Sequence, residues 1–304
     1  MHYRDLGSSG LRVSEIGMGC NRLGETSMPD AHWVSLVHHA TELGVNLFDT
    51  CEAYGWGRSE EILGLAIGNN PDVLVADKVS RVRETNEKDF TASRIMMRAE
   101  ESLRRLRRDC IDIYQLHSPA LEQLQHYDWP KAMVRLKEQG KIRLAGVSIN
   151  DAASGRWLIE NGLVDMIQIP YNILEPQIGE EIFPLAAQAG LGVLVRVPMA
   201  QGILTGKFSP GQAVPEGHRA LMAGERMAEC IVRTEDLKPL AADVGLPLAT
   251  LALRYAISPK GVSAAIPGAR TVEQLEQNVS ASNGVGLDEE LLARLARVQR
   301  RWHR

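Results

Sequence analysis

Eight short apolar runs, each followed by a longer amphipathic stretch, constrain this 304-residue chain most strongly. The runs are Glu15–Cys20, Val45–Asp49, Val73–Lys78, Ile111–His117, Leu144–Ile149, Val164–Ile169, Val193–Val197 and Val262–Ile266. Their apolar residues are near-continuous rather than alternating, the pattern of parallel strands covered on both faces. Helical spacing fills the intervals: Asp30–Leu43, Ser59–Ile67, Lys88–Leu106, Leu121–Gln139, Asp151–Glu160, Ile178–Ala189, Thr234–Asp243 and Thr271–Ser280. Asp30, Asp151 and Thr271 stand where a side-chain oxygen caps a first turn, and Gly44 stands where the first helix stops. Eight such units in this length predict an α/β chain folded as a (β/α)8 TIM barrel, one domain over residues 1–304.

A doubly wound sheet is the rival architecture, and it would carry G-x-G-x-x-G after a strand. Gly17-Met18-Gly19 and Gly55-Trp56-Gly57 both lack the third glycine, and Gly202–Lys207 is one residue short of a phosphate loop and runs into Phe208. Two segments lie outside the repeat. Tyr3–Ser14 is expected to close the bottom of the barrel, and the extra C-terminal helix Asp288–Trp302 to pack across its outside.

Charge and composition narrow the partners. Lys and Arg number 34 against 38 Asp and Glu, a net charge of −4, which argues against a general nucleic-acid binder. No apolar run approaches the roughly 18 residues that cross a bilayer, and the first residues lack the layout of a signal peptide, so a cytoplasmic location is expected. Cys20, Cys51, Cys110 and Cys230 show no C-x-x-C pair and no zinc spacing, so they are expected as reduced thiols and no metal is expected. The basic clusters Arg104–Arg108 and Arg294–Arg304 read as helix C-terminal charge favoured by the dipole, so neither a nucleic acid nor a membrane is expected as partner.

In a barrel, chemistry sits where strands end and βα loops begin. The polar residues at those positions are Asp49, Lys78, His117, Ser148 with Asn150, and Gln168, and Tyr54 lies in the loop after Asp49. A free phenol has a pKa of about 10 and exchanges protons poorly at neutral pH. A neighbouring ammonium stabilises phenolate, a carboxylate holds the ammonium, and a histidine can orient a carbonyl oxygen. Such a set suits protonation of a carbonyl oxygen while its carbon accepts a hydride.

At these residues the sequence resembles the aldo-keto reductase family, from Tyr3 to about Asn283. Tyr3-Arg4-x-Leu6-Gly7-x-Ser9-Gly10-Leu11-x-Val13-Ser14 is similar to the family's N-terminal β-hairpin. Asn46-Leu47-Phe48-Asp49-Thr50-x-x-x-Tyr54-Gly55-x-Gly57-x-Ser59-Glu60 is similar to its first active-site signature, and Asp112-Ile113-Tyr114-x-Leu116-His117 to its histidine strand. The resemblance implies a tetrad of Asp49, Tyr54, Lys78 and His117. It further implies that Ser148, Asn150 and Gln168 hold the nicotinamide amide and that Tyr171 stacks on the ring. Pro198, Met199, Gly202, Leu204 and Lys207 match the pyrophosphate loop, and Pro267, Gly268, Arg270, Gln274 and Asn278 the segment clasping the adenosine end. Val197 departs from the family's frequent Ser, removing one hydroxyl contact, and Met199 replaces a frequent Leu.

Arg270 offers a guanidinium that pairs bidentately with a 2′-phosphate, the reason to expect NADP(H) as cofactor. Trp56, beside Tyr54, is expected to line the substrate pocket, and Cys51 to be a packed, inert thiol. The resulting expectation is an NADP-dependent oxidoreductase that reduces aldehydes or ketones, or oxidises alcohols or sugars, with Tyr54 as general acid/base. An NADPH-binding, redox-sensing regulatory subunit is the alternative; a Schiff-base lyase using Lys78 leaves the rest of the tetrad and Arg270 unexplained.

Overall fold

The computed structural model describes residues 1–211 and 224–302. The chain opens with an antiparallel hairpin of β1 (Tyr3–Asp5) and β2 (Arg12–Ser14), in which Arg4 faces Val13. Eight parallel strands follow in spatial order: β3 (Met18–Gly19), β4 (Leu47–Asp49), β5 (Leu74–Val79), β6 (Ile111–His117), β7 (Ile142–Ser148), β8 (Met166–Pro170), β9 (Gly192–Arg196) and β10 (Ala264–Ala265). The first and last strands meet. Gly17 N–H donates to the Ala265 carbonyl at 2.8 Å, Ala265 N–H to Glu15 at 3.0 Å, and Gly19 N–H to Pro267 at 2.9 Å. The expected (β/α)8 barrel is therefore the fold, although β3 and β10 are shorter than their apolar runs.

Helices alternate with the strands: α1 (Asp30–Glu42), α2 (Arg58–Ala66), α3 (Ala92–Leu106), α4 (Leu121–His126), α5 (Trp129–Glu138), α6 (Ala152–Glu160) and α7 (Gln177–Gln188). Between β9 and β10 come α8 (Glu225–Glu235), α9 (Lys238–Asp243) and α10 (Leu248–Ile257); α11 (Val272–Val279) and α12 (Glu289–Arg301) complete the chain. Asp151 and Thr271 cap α6 and α11 through Ser154 N–H and Gln274 N–H. Asp30 does not cap: α1 begins at Asp30 itself, after an extended Pro29. The stretch Leu121–Gln139 is two helices, because Pro130 lacks an N–H and its ring would clash within a continuous helix. Pro239 restarts α9 in the same way, dividing the stretch Thr234–Asp243.

Strand side chains alternate between two cores. Leu47, Leu74, Ala76, Ile113, Leu144, Met166, Leu194 and Ala264 fill the barrel interior, joined from below by Leu6, Leu11 and Val13 of the hairpin. The alternate strand residues, such as Phe48, Val75, Tyr114 and Val195, face the helices. The hairpin is thus the bottom plug, and Gly7 makes it possible: it has a positive φ of 55°, and a Cβ there would collide with the backbone at Gly190–Gly192. Helix α12 packs Leu291, Leu295 and Val298 on the outer layer, and Gln299 donates to the Ile173 carbonyl at 2.7 Å. Of the basic residues near the end of α3, Arg105 turns in to the buried Glu60 at 2.6 Å and Arg108 to Asp112 at 3.2 Å. Residues 212–223 of the loop Phe208–Cys230, and His303 and Arg304 of the basic tail, lie outside the described residues. No single described helix is long and apolar enough to cross a membrane.

Candidate active site

The inward-facing set turns from apolar to polar at the carboxyl ends of the strands. Asp49 lies two residues above Leu47, Lys78 two above Ala76, Ser148 two above Gly146 and Gln168 two above Met166, so strand periodicity carries each into the mouth. Parallel pairing then sets His117 opposite Ser148 and Ser148 opposite Gln168. Lys78 Nζ lies 2.6 Å from Asp49 Oδ2 and donates a second hydrogen bond to the Thr50 carbonyl at 2.8 Å. The other Asp49 oxygen accepts from Gln168 Nε2 at 2.7 Å. Burial pushes the Lys78 ammonium toward deprotonation, but Asp49, then the phenolic oxygen of Tyr54, outweigh it and hold the pKa above its ordinary value.

Tyr54 sits over this pair, with Lys78 Nζ 5.4 Å from its ring centre. Its ring meets that of His117 edge-on, with centres 5.9 Å apart and planes at 89°. Close backbone packing delivers it there. A Cβ on Gly24 would lie 2.5 Å from the Tyr54 carbonyl carbon, so only glycine lets the loop after β3 rest against the tyrosine loop. The chain then runs through Gly55, Trp56 and Gly57, all at positive φ, which turns α2 back toward the sheet. Trp56 is 40% exposed, with the Arg83 guanidinium 5.7 Å from its ring centre.

Burial lowers the His117 pKa well below its ordinary value, and the cations Lys78, Arg196, Lys88 and Arg81 push it further down. The ring is neutral. Its Nδ1 lies 3.1 Å from Ser80 Oγ and 3.1 Å from Cys51 Sγ. A Ser80 hydroxyl donating to Nδ1 leaves the proton on Nε2, the tautomer that can donate to a carbonyl oxygen. Ser80 is held in turn by Glu52, whose Oε1 accepts from its N–H at 2.7 Å and which also pairs with Arg98 of α3. Cys51 is fully buried, and burial raises its thiol well above the ordinary value, so it packs as expected. Neither contact, from Ser80 or from Cys51, has a signal in the sequence.

Other expected contacts divide into two groups. Ser148 Oγ is buried without a partner at the mouth, and Asn150 is exposed there, accepting from Arg196 at 2.6 Å. Tyr171 does not reach the mouth: odd parity with Gln168 turns it outward, where it stacks on Tyr255 at 5.2 Å and 9° and meets Phe183 edge-on. The inward positions at that level are Pro170 and its neighbour across the ladder, Arg196. Arg196 lines a cleft of about 380 Å³ with Asn150, Pro170, Asn172 and Gln201, and no motif had singled it out.

On the far side, Pro198 and Met199 lead into a 3-10 turn, Ala200–Thr205, with Gln201 and Gly202 at positive φ. Leu204 is fully buried, so its side chain packs in the core rather than facing the mouth. Burial, then Arg270 and Arg22, lower the pKa of Lys207, which places three cations near one another. Arg270 is not idle: its guanidinium meets Glu25 at 3.2 Å, and Glu25 also pairs with Arg22. Gln274 accepts from Arg270 N–H at 2.9 Å and Asn278 donates to the Gly268 carbonyl at 3.2 Å, so both shape the loop that follows Pro267. An unpartnered buried hydroxyl at Ser148, an open amide at Asn150 and this cationic edge fit the carboxamide and phosphates of a nicotinamide dinucleotide.

Comparison with known proteins agrees with the geometry. The profile described as Aldo/keto reductase family matches residues 15–300. An uncharacterized oxidoreductase of Mycobacterium bovis is 36% identical over 301 residues, covering 93% of this chain and 88% of its own. An NADH-specific methylglyoxal reductase of Escherichia coli is 30% identical, covering 91% of this chain and 92% of its own. The holo form of an aldo-keto reductase from Bacillus halodurans superposes with a TM-score of 0.83 at 31% identity, over 98% of this chain and 96% of its own.

Proposed function

The chain belongs to the aldo/keto reductase family, and from that membership we propose that it reduces aldehydes or ketones to alcohols, reversibly, with Tyr54 as the proton donor. The observation that carries this reading is the buried Asp49–Lys78 pair beneath the Tyr54 ring, with a neutral His117 edge-on to it. A bound nicotinamide cofactor supplies the hydride. Tyr54 gives its proton to the carbonyl oxygen, and Lys78 favours the phenolate left behind. His117 donates from Nε2 to the same oxygen and so fixes which face of the carbonyl is open to attack. Asp49 keeps Lys78 charged and in place, while Gln168 steadies Asp49.

Ser148 and Asn150 are the residues that would hold the carboxamide, and Lys207 and Arg22 would meet the pyrophosphate. Arg270 would take a 2′-phosphate, which favours NADP over NAD once Glu25 gives way. The test follows reduced-cofactor absorbance at saturating NADPH and, separately, NADH, against a panel of aldehydes, ketones and aldoses. Turnover with a lower KM for NADPH is expected. Tight cofactor binding with no turnover of any carbonyl would instead favour a cofactor-sensing role.

A further inference from the structure

Resting on the reductase reading above, we propose that the carbonyl substrate carries an anionic group, a carboxylate or a phosphate monoester, bound at the rim by Arg81, Lys88 and Arg196. Two separate parts of the chain bring these side chains around His117. Arg81 follows Ser80, the residue whose hydroxyl faces His117 Nδ1, and its backbone is bridged to Lys88 across the loop after β5. Lys88 donates to the carbonyl of Ser118, the residue next to His117. Arg196 arrives from β9, donating to the Ile149 carbonyl at 3.1 Å and to Asn150 Oδ1 at 2.6 Å, while its buried Nε has no partner.

Among the described residues none of the three forms an ion pair. Arg81 donates to an amide oxygen of Asn86, and the other two donate to the carbonyl and amide oxygens already named. The carboxylates that bear on Arg196 are already matched, Asp49 by Lys78 and Glu175 by Arg226. Burial, then Arg81 and Arg196, lower the Lys88 pKa, so the cations repel one another across the mouth. Holding like charges together without a counter-ion costs free energy that a bound anion relieves. Arg81 and Lys88 are none of the residues assigned to the cofactor, whereas Arg196 borders that site through its hydrogen bond to Asn150.

The step balances without a further reagent. The aldehyde carbon takes the hydride of the reduced nicotinamide, its oxygen takes the Tyr54 proton, and solvent reprotonates Tyr54. The anionic group passes through unchanged.

Matched pairs test the inference: succinic semialdehyde against butanal, and glyceraldehyde 3-phosphate against glyceraldehyde. In the wild type kcat/KM should favour the anionic member at least tenfold in one pair, and that pair identifies carboxylate or phosphate. The preference should shrink as salt is raised. Lys88→Met and Arg81→Gln should each cut the ratio by about tenfold, as expected for a lost charge-assisted hydrogen bond. A purely structural role would lower both members equally and leave the ratio unchanged, against the proposal. Ratios near one in both wild-type pairs would overturn the inference while leaving the reductase reading intact. Should none of the four be reduced, the reductase reading is what fails, and calorimetric titration of succinate and of inorganic phosphate into protein saturated with oxidised cofactor decides the anion site. Binding weakened in both variants supports it; no binding overturns it.

Discussion

Lys78 Nζ and Asp49 Oδ2 lie 2.6 Å apart with the lysine side chain fully buried, so each charge depends on the other for its place in the barrel. Removing one partner of a buried pair commonly costs about 3–5 kcal/mol, because the other charge is left uncompensated. Lys78→Met should therefore lose about that much stability in urea unfolding, and Asp49→Asn combined with Lys78→Met should lose less than Lys78→Met alone. Wild-type stability in the Lys78→Met single variant would contradict the pairing. The same result bears on kinetics, since lost turnover in Lys78→Met reports on proton transfer only where the protein remains folded.

On the proposed reading, cofactor choice turns on Glu25 and Arg270. Hydrogen bonds to charged groups contribute roughly 1.5–3 kcal/mol, so Arg270→Ala should weaken NADPH about ten- to a hundredfold. NADH should change little. Glu25 occupies the Arg270 guanidinium that the proposal gives to a 2′-phosphate, so Glu25→Gln should tighten NADPH and leave NADH nearly unaltered. Equal shifts for both dinucleotides, measured by fluorescence titration, would place the 2′ position elsewhere.

Much of this site could be read before any coordinates. Asp49, Lys78, His117, Ser148 and Gln168 each end an apolar run, and a parallel barrel turns such ends into one mouth. Arg196 also ends such a run, at even parity with Leu194, but as a lone arginine without a motif it gave no signal. Parity likewise explains Tyr171: three residues beyond Gln168, it must face the opposite side of the strand, where Tyr255 and Phe183 enclose it. Ser80 and Cys51 touch His117 from 37 and 66 residues away, contacts that spacing along a chain cannot express. Helix α10 leaves little mark in the sequence because nearly all of Leu248–Ile257 is buried, which leaves no polar face to reveal a helical period.

Gly24 carries the placement of Tyr54. Its Cβ as alanine would stand 2.5 Å from the Tyr54 carbonyl carbon, so one backbone must move. Gly24→Ala should lower kcat by an order of magnitude or more, since a displacement of about 1 Å can cost a hundredfold in a positioned reaction. Cofactor affinity should hold. An unaltered kcat would show that the two loops give way freely.

His117 sets a stability window on the acid side. Its folded pKa lies well below the ordinary value of about 6.5, so between the two the unfolded chain takes up a proton that the folded chain refuses. Its contribution therefore rises with pH across that window and is progressively lost as pH falls below about 6.5. His117→Asn should flatten this part of the stability profile, read from unfolding midpoints between pH 5 and 7. A variant profile parallel to the wild type would mean that His117 titrates normally.

Tyr54→Phe is the most direct test, because it keeps the ring over Lys78 and removes only the phenolic oxygen. Stopped-flow measurement of a single turnover, with the reduced cofactor already bound and an aldehyde added, isolates hydride and proton transfer from binding. General acid catalysis commonly supplies about 10²–10⁴-fold, so the single-turnover rate should fall at least that far while cofactor affinity stays near wild type. A folded, cofactor-bound Tyr54→Phe protein that reduces the aldehyde at a near wild-type rate would contradict the mechanism.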